Sequence, residues 1–219
     1  MKFAKRTLLL SSVLLIAISA FGYLFWYNIK FSEIYHSTYS LNTNKRKINK
    51  ETIRRLKQKA LSAKDYISEH GYNPEKCFLL DMKIYSGEKR FFVYNLKKDS
   101  IETAGLVTHG SGSDNGKEEL TFSNIKNSNC TSLGKYKIGK DYTGKFGLAF
   151  KLYGLDKTNS NAFERFVVLH AHKCVPNTEV SPFPICVSLG CPTVAPAFLT
   201  KLKTYLDESE KPILLWIYY

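Results

Sequence analysis

The sequence predicts a mainly β fold, a β-sandwich or partial barrel, behind an N-terminal helix and a membrane anchor. Three observations lead there. After Pro74 the chain breaks into short apolar runs divided by Gly-, Ser- and Lys-bearing turns, as in domains built of many short strands. Before Pro74, Ile53, Leu56, Ala60, Ala63 and Ile67 recur at three- and four-residue steps, which places one apolar stripe on a helix. Ahead of both, Thr7 to Ile29 carries no charge.

That uncharged run exceeds the ~20 residues that cross a bilayer and the ~7–15 of a signal-peptide core. Lys2, Lys5 and Arg6 precede it, and Phe25, Trp26 and Tyr27 close it. The order suits an anchor with its N-terminus inside and aromatic side chains at the far interface. The competing reading is a signal peptide cleaved near Ala20-Phe21-Gly22. Either reading exports the rest, to the periplasm or elsewhere outside the cytoplasmic membrane, and the anchor would hold it at the inner membrane. The chain then divides into three segments: a transmembrane anchor over 1–29, a basic linker and amphipathic helix over 30–72, and a β domain over 73–219.

On the helix, Arg54, Arg55, Lys57, Lys59 and Lys64 fall outside the apolar stripe, so the basic side is expected to face solvent. His70-Gly71-Tyr72-Asn73-Pro74 ends it with turn residues. Strands are then expected at Cys77–Asp81, Phe91–Tyr94 and Ile101–Thr108. Lys135–Gly139 and Phe146–Leu152 read as a hairpin around Lys140–Lys145, with Phe146, Leu148, Phe150 and Leu152 on one face. Phe166–His170 and Ile213–Tyr219 complete the strands, and Pro196–Leu206 reads as a helix.

With 219 residues, 44% hydrophobic and 23% charged, the chain holds one globular core and is not disordered by composition. The formal charge of +13 arrives without zinc-finger spacing, an RNP block or a recognition-helix pattern, which argues against nucleic acid as the partner. A diffuse positive field suits anionic headgroups or wall polymers.

Chemistry concentrates at two places. Ser188-Leu189-Gly190-Cys191-Pro192 sets a thiol on a turn, with Pro192 holding Cys191 extended. Val167–His170 reads as a buried strand running into Ala171 and His172. A cysteine nucleophile needs a base, and His170 is the candidate; amides around Gly190 and Cys191 are the natural oxyanion donors. The plain alternative is a buried thiol and ordinary strand-end histidines. His109, before the turn Gly110–Asp114, is either a substrate-side residue or part of a structural turn.

Five cysteines, 77, 130, 174, 186 and 191, leave one unpaired if the rest bond. Cys174–Cys186 would brace the loop between His170 and Cys191, with Cys77–Cys130 as the remaining pair; the alternative is that all are reduced. A zinc site from His170, His172, Cys174, Cys186 and Cys191 matches no known spacing, so no metal or cofactor is expected.

Taken in order, His109–Asp114, Phe122–Asn124, Thr131–Gly134, Tyr142–Gly147, Gly154–Asp156, Asn161-Ala162, Val167–His170 and Ser188–Pro192 resemble the murein L,D-transpeptidase catalytic domain family, which is related to the YkuD-type transpeptidases. The resemblance runs from about Asn73 to Tyr219. It implies a mainly β catalytic domain acting on peptidoglycan stem peptides. In it Cys191 is the nucleophile, His170 the base, and the Ala171 carbonyl orients the imidazole. Ser188, His172, His109 and Tyr142 are the substrate-side candidates. Many YkuD-type enzymes carry a histidine two residues before the cysteine, where this chain has Leu189. An amine acceptor would make the protein a cross-linking transpeptidase, and water an L,D-carboxypeptidase. The classes set against these are a non-catalytic, membrane-tethered peptidoglycan-binding protein and a thiol–disulfide oxidoreductase. The second lacks a C-x-x-C motif.

Overall fold

A computed structural model of the chain describes residues 50–114, 116 and 119–219, with 19, 21 and 22. The chain divides into two units, Met1–Lys47 and Ile48–Tyr219. The second holds the sheet and both of its apolar cores. The expected anchor over 1–29 and linker up to 49 lie outside the described residues, apart from Ser19, Phe21 and Gly22, which are helical. Among the described residues no helix is long and apolar enough to cross a membrane.

Eight strands form one mixed sheet: β1 Lys76–Asp81, β2 Phe91–Asn95, β3 Ser100–Gly105, β4 Gly134–Gly144, β5 Gly147–Gly154, β6 Val168–Ala171, β7 Thr193–Val194 and β8 Leu214–Tyr218. Their order is β3-β2-β1-β8-β4-β5-β6-β7. The last strand therefore lies in the middle, parallel to β1 (Phe78↔Leu215) and antiparallel to β4 (Tyr136↔Leu215). The mainly β fold that was expected is observed as one continuous sheet whose two ends approach each other where Val107 bridges Val194. By joining β1 and β4, β8 fuses two separate meanders into one sheet.

Both faces of the sheet are covered, so its central strands are apolar at nearly every position rather than alternating. Helix α1, Lys50–His70, lays Leu56, Ala60, Ala63 and Ile67 against Cys77, Leu79, Phe92, Tyr94 and Leu214. On the opposite face Phe78, Leu80, Phe91, Phe150, Leu152 and Leu215 form the larger core with Phe198, Leu199 and Leu202 of helix α2, Pro196–Asp207. The Phe198 ring meets Phe91 edge-on, with centroids 5.3 Å apart. It also fills the space above Gly105, where an added Cβ would fall 2.4 Å from the ring.

Several expected boundaries move for local reasons. The strand read as Ile101–Thr108 stops at Gly105 beneath Phe198, and Val107 crosses to make a lone bridge with Val194. The hairpin is longer than expected: β4 runs to Gly144, which pairs with Gly147, so only Lys145 and Phe146 form the turn. Phe146 leaves the apolar face and is exposed, whereas Phe150 and Leu152 are buried. Phe166 has φ +56 and stands outside β6, which begins at Val168.

The α1 cations are not all on a solvated face, which corrects the expectation that the basic side faces solvent. Arg55 donates to the Asp81 carboxylate from Nε at 3.0 Å and Nη2 at 2.8 Å, and Lys59 lies 4.6 Å over the Trp216 ring. Asp81 is fully buried, and such a charge is tolerated only when paired and hydrogen-bonded. We predict that Arg55→Ala, which strands that carboxylate, costs about 3 kcal/mol in urea unfolding, in the range seen when a buried pair loses one partner. Arg55→Met combined with Asp81→Asn should restore most of the loss, and a single-mutant cost under ~1 kcal/mol would show that the pair does not fasten α1.

Candidate active site

The parallel pairing of β6 with β7 sets His170 opposite Thr193, and the antiparallel pairing of β5 with β6 sets Ala149 on its other side. Directly paired residues project to one face of a sheet, and here His170 Nε2 and Thr193 Oγ1 meet at 3.0 Å. The other ring nitrogen, Nδ1, lies 3.1 Å from the Ala171 carbonyl oxygen. A carbonyl only accepts, so Nδ1 carries the proton and Nε2 the free lone pair. The Thr193 hydroxyl consequently donates to Nε2. Sequence reading missed Thr193; its place two residues after Cys191 on an extended segment is the signal that marks it.

Cys191 enters β7 from a turn that only glycine fits at its head. Gly190 has φ +110, and an added Cβ would lie 2.7 Å from the Cys130 carbonyl oxygen. Gly110 permits the matching approach from the other side, where a Cβ would fall 2.9 Å from the Gly190 Cα. The two turns are stitched together: Ser188 N–H donates to the His109 carbonyl at 2.9 Å and Ser111 N–H to the Ser188 carbonyl at 2.7 Å. Ser188 Oγ is 2.7 Å from the Cys191 carbonyl oxygen and accepts from Gly190 N–H at 3.2 Å. Its hydroxyl therefore braces the turn from within. Among the described residues the Cys191 amide has no hydrogen-bond partner, so of the two expected oxyanion donors it is the open one.

The thiol is half-buried, and Sγ donates to the Phe166 carbonyl at 3.7 Å. Phe166 holds that carbonyl in place from a left-handed conformation, φ +56, with its own ring 80% exposed. A bulky side chain in this region is an outlier, and the Phe166 carbonyl is the partner of the Cys191 thiol. Burial pushes the Cys191 thiol up, while the Val168 backbone and the Arg165 charge pull it down. Arg165 is fixed by the carbonyls of Ser123 at 2.8 Å and Cys130 at 2.6 Å. Burial likewise lowers His170, opposed by its bond to Ala171 and aided by His172; the imidazole is neutral at pH 7.

The remaining candidates divide. His172 is exposed, and its Nδ1 accepts from Cys174 N–H at 3.2 Å. Tyr142 lies on the β4–β5 hairpin, 38% exposed. Phe146 at the hairpin tip stacks on His170, with centroids 5.2 Å and planes 19° apart; it roofs the imidazole, a contact that strand alternation could not foretell. Beside it a cavity of about 490 Å³ is lined by Phe146, Leu148, Ala171, His172, Leu199 and Thr200. His109 is instead buried, its Nδ1 2.9 Å from Arg90 Nη2. Leu189 is 75% exposed on the Cys191 turn and presents an apolar surface there.

Cys174 and Cys186 are disulfide-bonded, their Cα atoms 6.0 Å apart, which pins the loop between β6 and β7. The expected Cys77–Cys130 pair does not form; both thiols are free and buried. Cys77 lies on β1 in the core beneath α1, whereas Cys130 packs beside the Gly110 turn.

A family model for the L,D-transpeptidase catalytic domain matches residues 45–218. No curated protein matches the chain. Similar solved structures include the helical cell shape determining protein Pgp2 from Campylobacter jejuni, at 13% identity and TM-score 0.42, covering 65% of this chain and 47% of that one. An L,D-transpeptidase from Xylanimonas cellulosilytica shares 16% identity at TM-score 0.37, covering 78% and 71%. Bd1075 from Bdellovibrio bacteriovorus shares 20% identity at TM-score 0.41, covering 67% and 49%. The chain thus spans about half the length of the Pgp2 and Bd1075 structures.

Iodoacetamide without reductant should label only Cys191 on the folded protein, since Cys77 and Cys130 are buried and Cys174–Cys186 is bonded. Unfolding should add Cys77 and Cys130, and reduction the last two. Intact mass reads each step; a native-state adduct on Cys174 or Cys186 would contradict the bridge.

Proposed function

We propose, from the premise that the chain belongs to the L,D-transpeptidase catalytic domain family, that it is a peptidoglycan L,D-transpeptidase working through a Cys191 acyl-enzyme. The observation that carries the reading is the His170 tautomer. With Nδ1–H tied to the Ala171 carbonyl, Nε2 keeps a lone pair, which accepts from the hydroxyl of Thr193, two residues after Cys191. The exported location and N-terminal anchor belong to the same proposal, supported by the uncharged run Thr7–Ile29.

Each step balances its proton. Thr193 turns its hydroxyl from Nε2 towards the Cys191 carbonyl oxygen, 3.4 Å away, and Nε2 takes the thiol proton. The thiolate attacks the carbonyl of the L-centre in the third stem residue. Its oxygen becomes an oxyanion facing the open Cys191 amide, a donor of a kind worth about 3–4 kcal/mol in acyl transfer. Collapse breaks the bond to terminal D-alanine, whose nitrogen leaves with the proton from Nε2. The thioester then passes to the amine of a neighbouring stem, whose proton goes to Nε2 and from there to the departing thiolate, which regenerates the thiol. Water in place of that amine gives the carboxypeptidase outcome. Arg165 stabilises the thiolate electrostatically, and Phe146 screens the imidazole from water.

Muropeptides incubated with the protein and resolved by mass spectrometry test the reading. New 3→3 cross-linked dimers are expected; tripeptides alone would reassign the acceptor to water, and no change would favour a binding role. Cys191→Ala should abolish both product and acyl-enzyme.

A second test concerns pH. Because burial lowers His170 and raises Cys191, wild-type acylation should rise as His170 deprotonates, below its ordinary value of about 6.5, and then level off. His170→Ala should lose ~10²–10⁴-fold in rate. It should recover only as the thiol itself ionises in alkaline solution. Acylation by a carbapenem, the family's one-turnover probe, reads both rates, and an equal loss in His172→Ala would move the base to the other histidine.

A further inference from the structure

His109 and Arg90 are buried, chemically able and unused by the reaction above. Arg90 is 1% exposed and His109 6%, which makes Arg90 a cation almost wholly removed from water. Its guanidinium donates to the Val107 carbonyl at 2.9 Å, to the Ile84 carbonyl at 3.2 Å and to His109 Nδ1 at 2.9 Å. Those bonds use three of its five N–H groups, and among the described residues no carboxylate lies within ion-pair distance. Burial lowers Arg90 to about 9, and Asp81, already paired with Arg55, offsets that only in part. Buried arginines are rarely left without a counter-ion.

The imidazole beside it is in the same position. Arg90 can only donate, so the Nδ1 lone pair of His109 accepts and its proton sits on Nε2. Nε2 is buried and has no hydrogen-bond partner among the described residues, an uncommon condition for a native polar atom. Burial first, and the Arg90 charge next, lower His109 to about 4, against a weaker opposing pull from Asp114; the ring stays neutral and keeps this single N–H. Two unused donor groups, one of them charged, therefore stand side by side.

Both residues line a cavity of about 230 Å³, walled also by Lys83, Ser86, Asp114 and Tyr219. That space takes a group the size of one amino acid. Asp114 is exposed and its charge is screened by solvent, whereas Arg90 lies at the buried inner wall of the cavity. Net electrostatics at the inner wall therefore favour an anion. A planar two-oxygen acceptor answers both needs, one oxygen for the guanidinium and one for Nε2–H.

We propose that this cavity is a carboxylate-binding site, taking a small carboxylate between Arg90 and His109 directly behind the nucleophile turn. The His109 carbonyl accepts from Ser188 N–H at 2.9 Å and lies 3.2 Å from Ser188 Oγ, so the occupied site abuts the residue that braces Cys191. The site is independent of whether Cys191 acts as nucleophile. Its ligand is either a free amino acid or the carboxylate end of a peptide, two sources of one chemistry.

The test tracks the His109 ring nitrogens by NMR in the full chain, in wild type and in Cys191→Ala. The probes are acetate, D-alanine, a stem tripeptide with a free terminal carboxylate, and acetamide as the uncharged isostere. Saturable movement of the His109 Nε2 signal with acetate or D-alanine, equal in both proteins and absent with acetamide, is the expected result. A response to the tripeptide at lower concentration than to D-alanine assigns the peptide source; the reverse order assigns the free amino acid. Arg90→Met and His109→Met should each weaken binding at least tenfold, judged on whichever retains wild-type near-UV circular dichroism. The wild-type titration decides alone if neither folds. No saturable shift, or an equal response to acetamide, overturns the proposal without touching the assignment of Cys191.

Discussion

The pairing of β8 between β1 and β4 is the constraint on which the rest of the molecule depends. Leu214, Leu215 and Ile217 are buried on both faces of the sheet, and their strand accepts α1 packing on one side and α2 packing on the other. Without that strand, β1–β3 and β4–β7 would each present an open edge to solvent, an arrangement proteins avoid. A parallel partner so distant in sequence also carries a loop-closure cost that local hairpins escape. The two apolar cores on either face offset it.

From this frame the site is built at an edge. β6 and β7 are short, four and two residues, and their pairing alone would fix little. The disulfide Cys174–Cys186, the Gly110–Gly190 approach and the Ser188 bonds to His109 supply what the ladder does not. The Cys191 turn is thus over-determined from three directions. That redundancy suits a residue such as Phe166, whose left-handed backbone persists only where its neighbours hold it.

Two buried histidines show how partners divide roles. His170 and His109 are both held below their usual range by burial. His170 donates Nδ1–H to a carbonyl and keeps Nε2 as an acceptor beside a hydroxyl. His109 accepts from an arginine and keeps Nε2 as a donor. One ring can take a proton where the other can only offer one, although both end apolar runs in the sequence.

The sequence by itself determined the helix stripe Leu56–Ile67, the strands at Cys77–Asp81 and Ile213–Tyr219, and the glycine before Cys191, because periodicity and turn chemistry are local. It also marked His170, Ala171 and Cys191 as a group through their ordered motifs. Tertiary structure decided what depends on register across the sheet. It set Thr193 against His170 Nε2, Phe146 over the imidazole, and Arg165 behind the turn. It kept Cys77 apart from Cys130 by burying them in different surroundings, and it turned Arg55 from an expected solvent-facing cation to the partner of buried Asp81. Spacing along a chain fixes which face a side chain takes. Only the fold fixes what stands opposite that face, because strand partners are chosen by the burial of the whole sheet.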